Sequence, residues 1–414
     1  MRVLVGTRKG AFIYTSDERR ERWELSEPML HGWAVYDMAA DSRATPERLL
    51  AAANSDWWGP SVARSDDGGV SWDQRTEGLG FPRDMGISIG NVWHLRPGLE
   101  SQPGVVYAGL DPVGLFRSED GGVSWSSVDG LNRHALRPFW RAIPGGDGAG
   151  LMEVVLTEGE EAAQRVLDEA GEPDDGLARR REAAQEQLGG MTHSIAIDPR
   201  DPSHMYVAVS AGGLYVTADG GESWELIPRL PGEDTADERM LTSQTVAGVA
   251  SDVDPATEFD MHTMRMDPKD PDRLWSQAHN GVFRSDDRGE TWKNLSTELP
   301  DFHAFPIAVA RGAQDAVYIV PLVNDDFRVA GGQLSVLRTR DDGATWETLT
   351  DGLPGPHDYQ SVYREGLDTD GLEQEGVYVG ASNGQVYASR DGGDHWSRLP
   401  GTLPPVLSVT VTVS

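Results

Sequence analysis

The chain contains no cysteine in 414 residues. That excludes a disulfide framework and any thiolate metal site. Basic residues are also scarce: 36 Lys and Arg stand against 67 Asp and Glu, a formal net charge of −31. Such an anionic chain is repelled by nucleic acid and by anionic membrane surfaces, so neither is expected as a partner. The acidity reads first as a solubility device or an adaptation to a salt-rich cytoplasm, ahead of an acidic docking surface. No apolar run approaches the roughly 18 residues of a membrane span. The opening Met-Arg-Val-Leu-Val-Gly runs straight into a strand pattern, without the features of a signal peptide. A soluble, cytoplasmic, monomeric protein is expected.

What the chain does have is turn formers and tryptophan: 48 Gly, 25 Pro and 13 Trp. They recur in the pattern Ser/Thr-x-Asp-x-Gly-x-x-Trp. Copies start at Ser65, Ser118, Thr217, Ser285, Thr339 and Ser389, and end at Trp72, Trp125, Trp224, Trp292, Trp346 and Trp396. A degraded copy with Thr15, Asp17 and Trp23 opens the chain and makes seven. The Asp and Ser/Thr side chains bond the backbone of a tight turn. The Gly takes an angle that a Cβ resists, and the Trp starts the next strand and buries its ring. These aspartates are therefore assigned to turns rather than to catalysis.

Most of the tryptophans are separated by about 50 residues, which suits one four-stranded propeller blade. Residues 261–296 illustrate it: an inner strand over 262–267, a second over 273–278, a tight turn at 279–281, a third strand over 282–285, the motif, and a fourth over 291–295. The first blade lacks an inner strand. Residues 406–413 alternate apolar residues with Ser and Thr, and are expected to close the ring by pairing inside blade one. The fold class is all-β: a seven-bladed β-propeller with four-stranded blades, one domain over 1–414.

Two intervals exceed a blade. Residues 131–190 form an expected insertion on the top face, with two short helices over 158–188 broken near Gly171-Glu172-Pro173. Residues 232–255 are polar and irregular. The insertion is either a lid or a solvated decoration.

Inner strands line the central channel, and their starts carry histidines. His94, His193 and His262 each precede an aromatic residue of the second strand (Tyr107, Tyr206, Trp275) by the same interval. They are expected at one position on three consecutive blades, with Asp37 and Gln360 at the matching places of blades two and seven and His303 as a weaker member. Such a ring suits a divalent transition metal with N and O ligands, Zn or Mn, whose bound water would act as nucleophile or base. The alternative is imidazoles bonded to one another and to channel water. Loops opening on the same face offer Arg8, Lys9, Trp57, Trp58, Asp111 and Asn280 as ligand-binding residues. Trp57-Trp58 either stacks beneath a sugar or aromatic ligand or packs under the insertion.

The repeat is identified as the Asp-box, or BNR, repeat, and by it the chain resembles the sialidase-like β-propellers over nearly its whole length. Sialidases clamp a substrate carboxylate with three arginines, the first in an Arg-Ile-Pro motif. That motif is missing here, and Arg141-Ala142-Ile143-Pro144 does not replace it in position or order. Sialidase catalysis is therefore not carried over. The Asp-box xyloglucan hydrolases work with acidic residues in a cleft between two tandem propellers, and this chain has one. Photosystem assembly propellers with the repeat are a non-enzymatic precedent. Val5-Gly6-Thr7-Arg8-Lys9-Gly10 and Asn54-Ser55-Asp56-Trp57-Trp58-Gly59-Pro60 look like the bacterial BNR-repeat proteins named as glycosyl hydrolases. The resemblance implies a glycosidase-like propeller with a top-face pocket, and the histidine ring adds to it a His-ligated metal acting in hydrolysis or lyase chemistry on a carbohydrate or small polar ligand. The alternative is a non-catalytic binding scaffold.

Overall fold

The repeated turn sets where each sheet folds back. In the second blade the Ser65 hydroxyl donates to Asp67 Oδ1 at 2.7 Å and accepts from Gly69 N at 2.8 Å. Asp67 then accepts the Ser71 amide at 2.9 Å and the Ser71 hydroxyl at 2.5 Å. The Trp72 indole donates to Gly69 O at 3.1 Å. Gly69 has φ of 95°, in the left-handed region that favours glycine. The bond from backbone amide to aspartate recurs at Asp120, Asp219, Asp287, Asp341 and Asp391, and the indole bond at Trp224 and Trp292. The turn thus uses one more residue than the motif read above: Ser71, Ser124, Ser223, Thr291, Thr345 or His395, just before each Trp. Hydrogen bonds from the Ser71 hydroxyl and amide, and from Ser65, hold the Asp67 carboxyl down at about 2.

The computed structural model describes residues 1–17, 19–135, 137, 140, 165, 190–210, 212–227, 261–278, 281–296, 299, 301–323, 329–363 and 365–413. These form seven four-stranded antiparallel sheets. Blade one holds β1 (Arg2–Thr7), β2 (Gly10–Thr15), β3 (Glu24–Leu25) and, on its inner edge, β28 (Val406–Thr412). Blade two is β4 (Ala34–Asp41), β5 (Arg48–Ser55), β6 (Gly59–Ser65) and β7 (Asp73–Arg75). Blade three is β8 (Asn91–Pro97), β9 (Val106–Asp111), β10 (Gly114–Ser118) and β11 (Ser126–Ser127). Blade four is β12 (Thr192–Ile197), β13 (Met205–Val209), β14 (Gly213–Thr217) and β15 (Glu225–Leu226). Blade five is β16 (Met261–Met266), β17 (Leu274–Ala278), β18 (Gly281–Ser285) and β19 (Lys293–Asn294). Blade six is β20 (His303–Val309), β21 (Val317–Leu322), β22 (Val336–Thr339) and β23 (Glu347–Leu349). Blade seven is β24 (Leu367–Thr369), β25 (Val377–Gly380), β26 (Val386–Ser389) and β27 (Trp396–Arg398).

The inner strands neighbour one another in the order β28, β4, β8, β12, β16, β20, β24 and back to β28, so the ring is closed. Closure is the pairing expected from the alternating tail: β28 runs antiparallel to β1, with Val5 opposite Val409 and Val3 opposite Val411. It removes the open edge that β1 would otherwise present. The apolar clusters lie between neighbouring blades. One joins Tyr107 and Leu115 of blade three to Ile195 and Val207 of blade four. Another joins Tyr378 and Val386 of blade seven to Val3, Val5 and Tyr14 of blade one. The motif residues Trp125, Trp224, Trp292 and Trp396 are buried in these seams. Helix is scarce among the described residues, where Asp129–Asn132 is a single turn. Most of the 131–190 insertion, and the 232–255 interval, lie outside the described residues.

Candidate functional site

Strand register fixes which loops share a face. Ala34 pairs with Asn54, and Ser55 with Gly59, so the turn at Asp56-Trp57-Trp58 stands beside the start of inner strand β4. Asn91 pairs with Asp111, which puts the β9–β10 turn beside the start of β8. Thr7 pairs with Gly10 and with Val406, which puts Arg8 and Lys9 beside the start of β28. Blades one, two and three therefore present Arg8, Trp57-Trp58 and Asp111 on one face, as the sequence suggested. Asn280 lies outside the described residues.

The two tryptophans do not pack: Trp57 is 90% and Trp58 81% exposed. Their turn is nevertheless ordered by chemistry, because the Ser55 hydroxyl accepts both the Trp57 and Trp58 amides at 3.2 and 3.3 Å. Tyr36 lies under the same loops. Burial raises its phenol pKa, Arg8 opposes the rise, and Asp111 and Asp56 add to it. Arg8, Asp56 and Asp111 thus lie within electrostatic reach of the Tyr36 hydroxyl. Asp111 accepts from Asn91 Nδ2 at 2.9 Å, and the Arg8 guanidinium sits 5.9 Å over the Tyr363 ring. Lys9 is exposed, with its amide bonded to Thr7 Oγ1.

Below this face, six inner strands carry a β-bulge near their start, an extra residue that re-aims side chains; in β28 it is Leu407. The register steps over Tyr36 and Asp37 in β4, Trp93 in β8, His193 in β12, His262 in β16, and Phe305 and Pro306 in β20. Hence the structural counterpart of His193 and His262 in blade three is Trp93, and His94 lies one step further down. The reason is local. Eight residues separate the paired Pro97 and Val106, whereas seven separate Ile197 from Met205 and Met266 from Leu274. Counting back from Tyr107 therefore lands one residue too far along, and a one-residue slip changes a side chain's direction.

The expected ring divides into two groups. In the first, aromatic and imidazole rings meet edge to face around the channel: Tyr36 to Trp93 at 5.0 Å, Trp93 to His193 at 6.3 Å, His193 to His262 at 6.4 Å and His262 to His303 at 4.9 Å. His262 Nδ1 is bonded to Ala304 O at 2.7 Å, which makes that nitrogen a donor. In the second group, His94 Nδ1 lies 3.1 Å from Asp37 Oδ2 and 3.8 Å from Glu365 Oε1. Asp37 also accepts the Met38 and Leu95 amides, both at 2.8 Å. Glu365 Oε2 accepts from Arg265 Nη2 at 2.6 Å. Glu365 precedes β24 of blade seven, so these contacts from blades three and five cross the channel. Gln360 belongs to neither group; its amide donates to Tyr387 OH at 3.3 Å.

Among the described residues, no group of three or more His, Asp or Glu side chains is placed to hold a metal ion. The donor set expected for Zn or Mn is not assembled: Asp37 is spent on two amides and His94, and Gln360 on a tyrosine. The residues that sequence reasoning missed are Tyr36, Trp93, Glu365 and Arg265. Trp93 was signalled by the longer β8–β9 connection. Glu365 carries no local signal, because its role comes from contacts across the ring.

The fold and this face define a seven-bladed β-propeller with an aromatic and acidic mouth. No family model matches the chain. Relatives by sequence are xyloglucanases. A Paenibacillus xyloglucanase is 27% identical over 244 residues, covering 51% of this chain and 21% of that protein. An oligoxyloglucan-reducing end-specific xyloglucanase from Emericella nidulans is 24% identical, covering 51% of this chain and 24% of its own length. The matched region thus spans about a quarter or less of these relatives. Among solved structures, an ancestral GH74 enzyme aligns over 88% of this chain and 38% of its own, at 16% identity and a TM-score of 0.51. YCF48 from Cyanidioschyzon merolae aligns over 90% of this chain and 87% of its own, at 14% identity and a TM-score of 0.50. These likenesses establish the fold.

Proposed function

We propose that the protein is a glycosidase-like propeller whose top face binds a β-linked glucan oligosaccharide of the xyloglucan type. The observation that carries this reading is the pair Trp57-Trp58, held outward by the Ser55 hydroxyl on a face shared with Arg8, Asp56, Asp111 and Tyr36. Two large rings left in water forgo burial worth about 1.5–3 kcal/mol for a large apolar side chain. A ligand that covers them recovers it. Sugar rings have apolar C–H faces that stack on indole, and equatorial hydroxyls that carboxylates and guanidinium bond. The xyloglucanase relatives support the choice of glycan. Hydrolysis needs two carboxylates flanking a glycosidic bond. Asp56 and Asp111, on neighbouring blades around Tyr36, are the pair in this reading.

Isothermal titration of the full chain with xyloglucan oligosaccharides tests it. The expected result is one-site binding that weakens roughly thirtyfold in the Trp57→Ala/Trp58→Ala variant, the loss of about 2 kcal/mol that a buried aromatic anchor carries. Reducing-sugar release from the same ligand, lost in Asp56→Asn or Asp111→Asn, tests the hydrolytic step. Wild-type protein that binds none of these glycans rules the reading out.

A further inference from the structure

The lower half of the channel holds charge that the top-face site does not use. Arg96 lies on β8, Arg265 on β16 and Arg311 two residues past the end of β20. Arg96 pairs in register with Tyr107, and Arg265 with Trp275. Tyr107 and Trp275 each follow the residue paired with the motif serine, Ser118 or Ser285. The two arginines therefore stand on the same rung of blades three and five. Arg311 reaches in from blade six: its Nη2 lies 3.4 Å from Asp368 Oδ2 of blade seven and donates to Val411 O of the closing strand at 3.3 Å.

Two of the three arginines have carboxylate partners, Glu365 for Arg265 and Asp368 for Arg311. Arg96 has no ion pair of its own among the described residues; its charged surroundings are Arg265, Arg311, Asp368 and Asp37. Both carboxylates are committed elsewhere. Asp37 accepts two backbone amides beside His94, and Asp368 accepts the Thr369 and Val411 amides. The Arg96 side chain is nonetheless reached by solvent. Nearby protein, with Arg265 and Arg311 alongside, lowers its pKa.

We propose that the channel is a second binding site, which takes a small oxyanion, a phosphate or carboxylate group, on Arg96 with Arg265 and Arg311 around it. A guanidinium presents paired N–H donors that match the oxygens of either group. Among the described residues, Arg96 alone of the three arginines has no carboxylate bonded to it, and an anionic guest supplies one. The surface of a chain with net charge −31 repels anions, so an unpaired guanidinium with two others on the same channel is the place that would retain one.

The test is titration calorimetry and thermal melting of the full chain with inorganic phosphate, and separately with acetate, against chloride at equal ionic strength. Saturable phosphate binding with a raised Tm, weakened roughly tenfold or more in Arg96→Gln, is the expected result. Acetate behaving the same way would support a carboxylate guest, and phosphate acting alone a phosphorylated one. Absence of any Tm shift in the wild type with either anion would overturn the proposal, as would unchanged affinity in Arg96→Gln. If Arg96→Gln fails to fold, the wild-type melting shift and the Arg96→Lys variant decide, the latter by its weakened phosphate affinity.

Discussion

Ending the chain at Pro404 removes β28 and opens the ring. Val406, Val409 and Val411 are buried, and at about 2 kcal/mol each their loss amounts to roughly 6 kcal/mol. Six register pairs with β1 go with them, from Arg2 opposite Thr412 to Thr7 opposite Val406. Ties to other blades go as well: Thr410 Oγ1 to Met38 O at 2.8 Å, Val411 N to Asp368 Oδ2 at 2.7 Å and Val409 N to Glu365 O at 2.6 Å. Hydrogen bonds at about 1 kcal/mol net each carry the total to roughly 10 kcal/mol or more. That equals the whole stability of an ordinary domain, about 5–15 kcal/mol. Urea unfolding followed by tryptophan fluorescence is the assay. The truncated chain is expected to show no cooperative transition, and a synthetic 404–414 peptide added in excess should restore one by mass action. A graded companion is Val409→Ala, expected to cost about 2 kcal/mol through two lost carbons and the cavity they leave. A truncated chain that unfolds cooperatively at the wild-type midpoint would refute the closure argument.

Two further outcomes follow from the turns and the channel. The Asp67 carboxyl sits at about 2 in the fold, below its ordinary 3.8, so its contribution is complete above about pH 4 and is lost as the pH falls through its folded value. Asp120 is likewise held at about 2, and the urea midpoint should decline between those limits; a flat midpoint would show the turn bonds to be dispensable. Glu365→Gln leaves Arg265 without its charge partner and alters the carboxylate beside His94. Because Arg265 is part-exposed, the expected loss is about 2 kcal/mol, less than for a fully buried pair, and an unchanged midpoint would deny the cross-channel knot its role.

Much of the architecture is legible in the sequence because the turn is a local object. Ser65, Asp67, Gly69 and Trp72 lie within eight residues, and their bonds need no distant partner. The closing strand is legible for a similar reason: Val406–Thr412 carries its own two-residue alternation, and blade one lacks an inner strand. The channel is less legible. Its side chains are set by bulges, whose position depends on connection length, and one added residue between Pro97 and Val106 moves His94 off the line of His193 and His262. Glu365 and Arg265 lie 100 positions apart and meet only because the ring brings blades five and seven together. The top-face residues sit between these cases. Arg8, Trp57, Trp58 and Asp111 belong to hairpin turns whose face is fixed by strand order, so their shared location is readable while their ligand is not.

The most direct test of the account is a titration of the full-length protein and of Trp57→Ala/Trp58→Ala with xyloglucan oligosaccharides, with folding of both checked by urea unfolding. Saturable binding by the wild type is expected, with quenching or shift of tryptophan emission on the same curve, and in the variant binding weakened roughly thirtyfold with the emission change lost. Binding of equal strength in the variant, or none in the wild type, would contradict it.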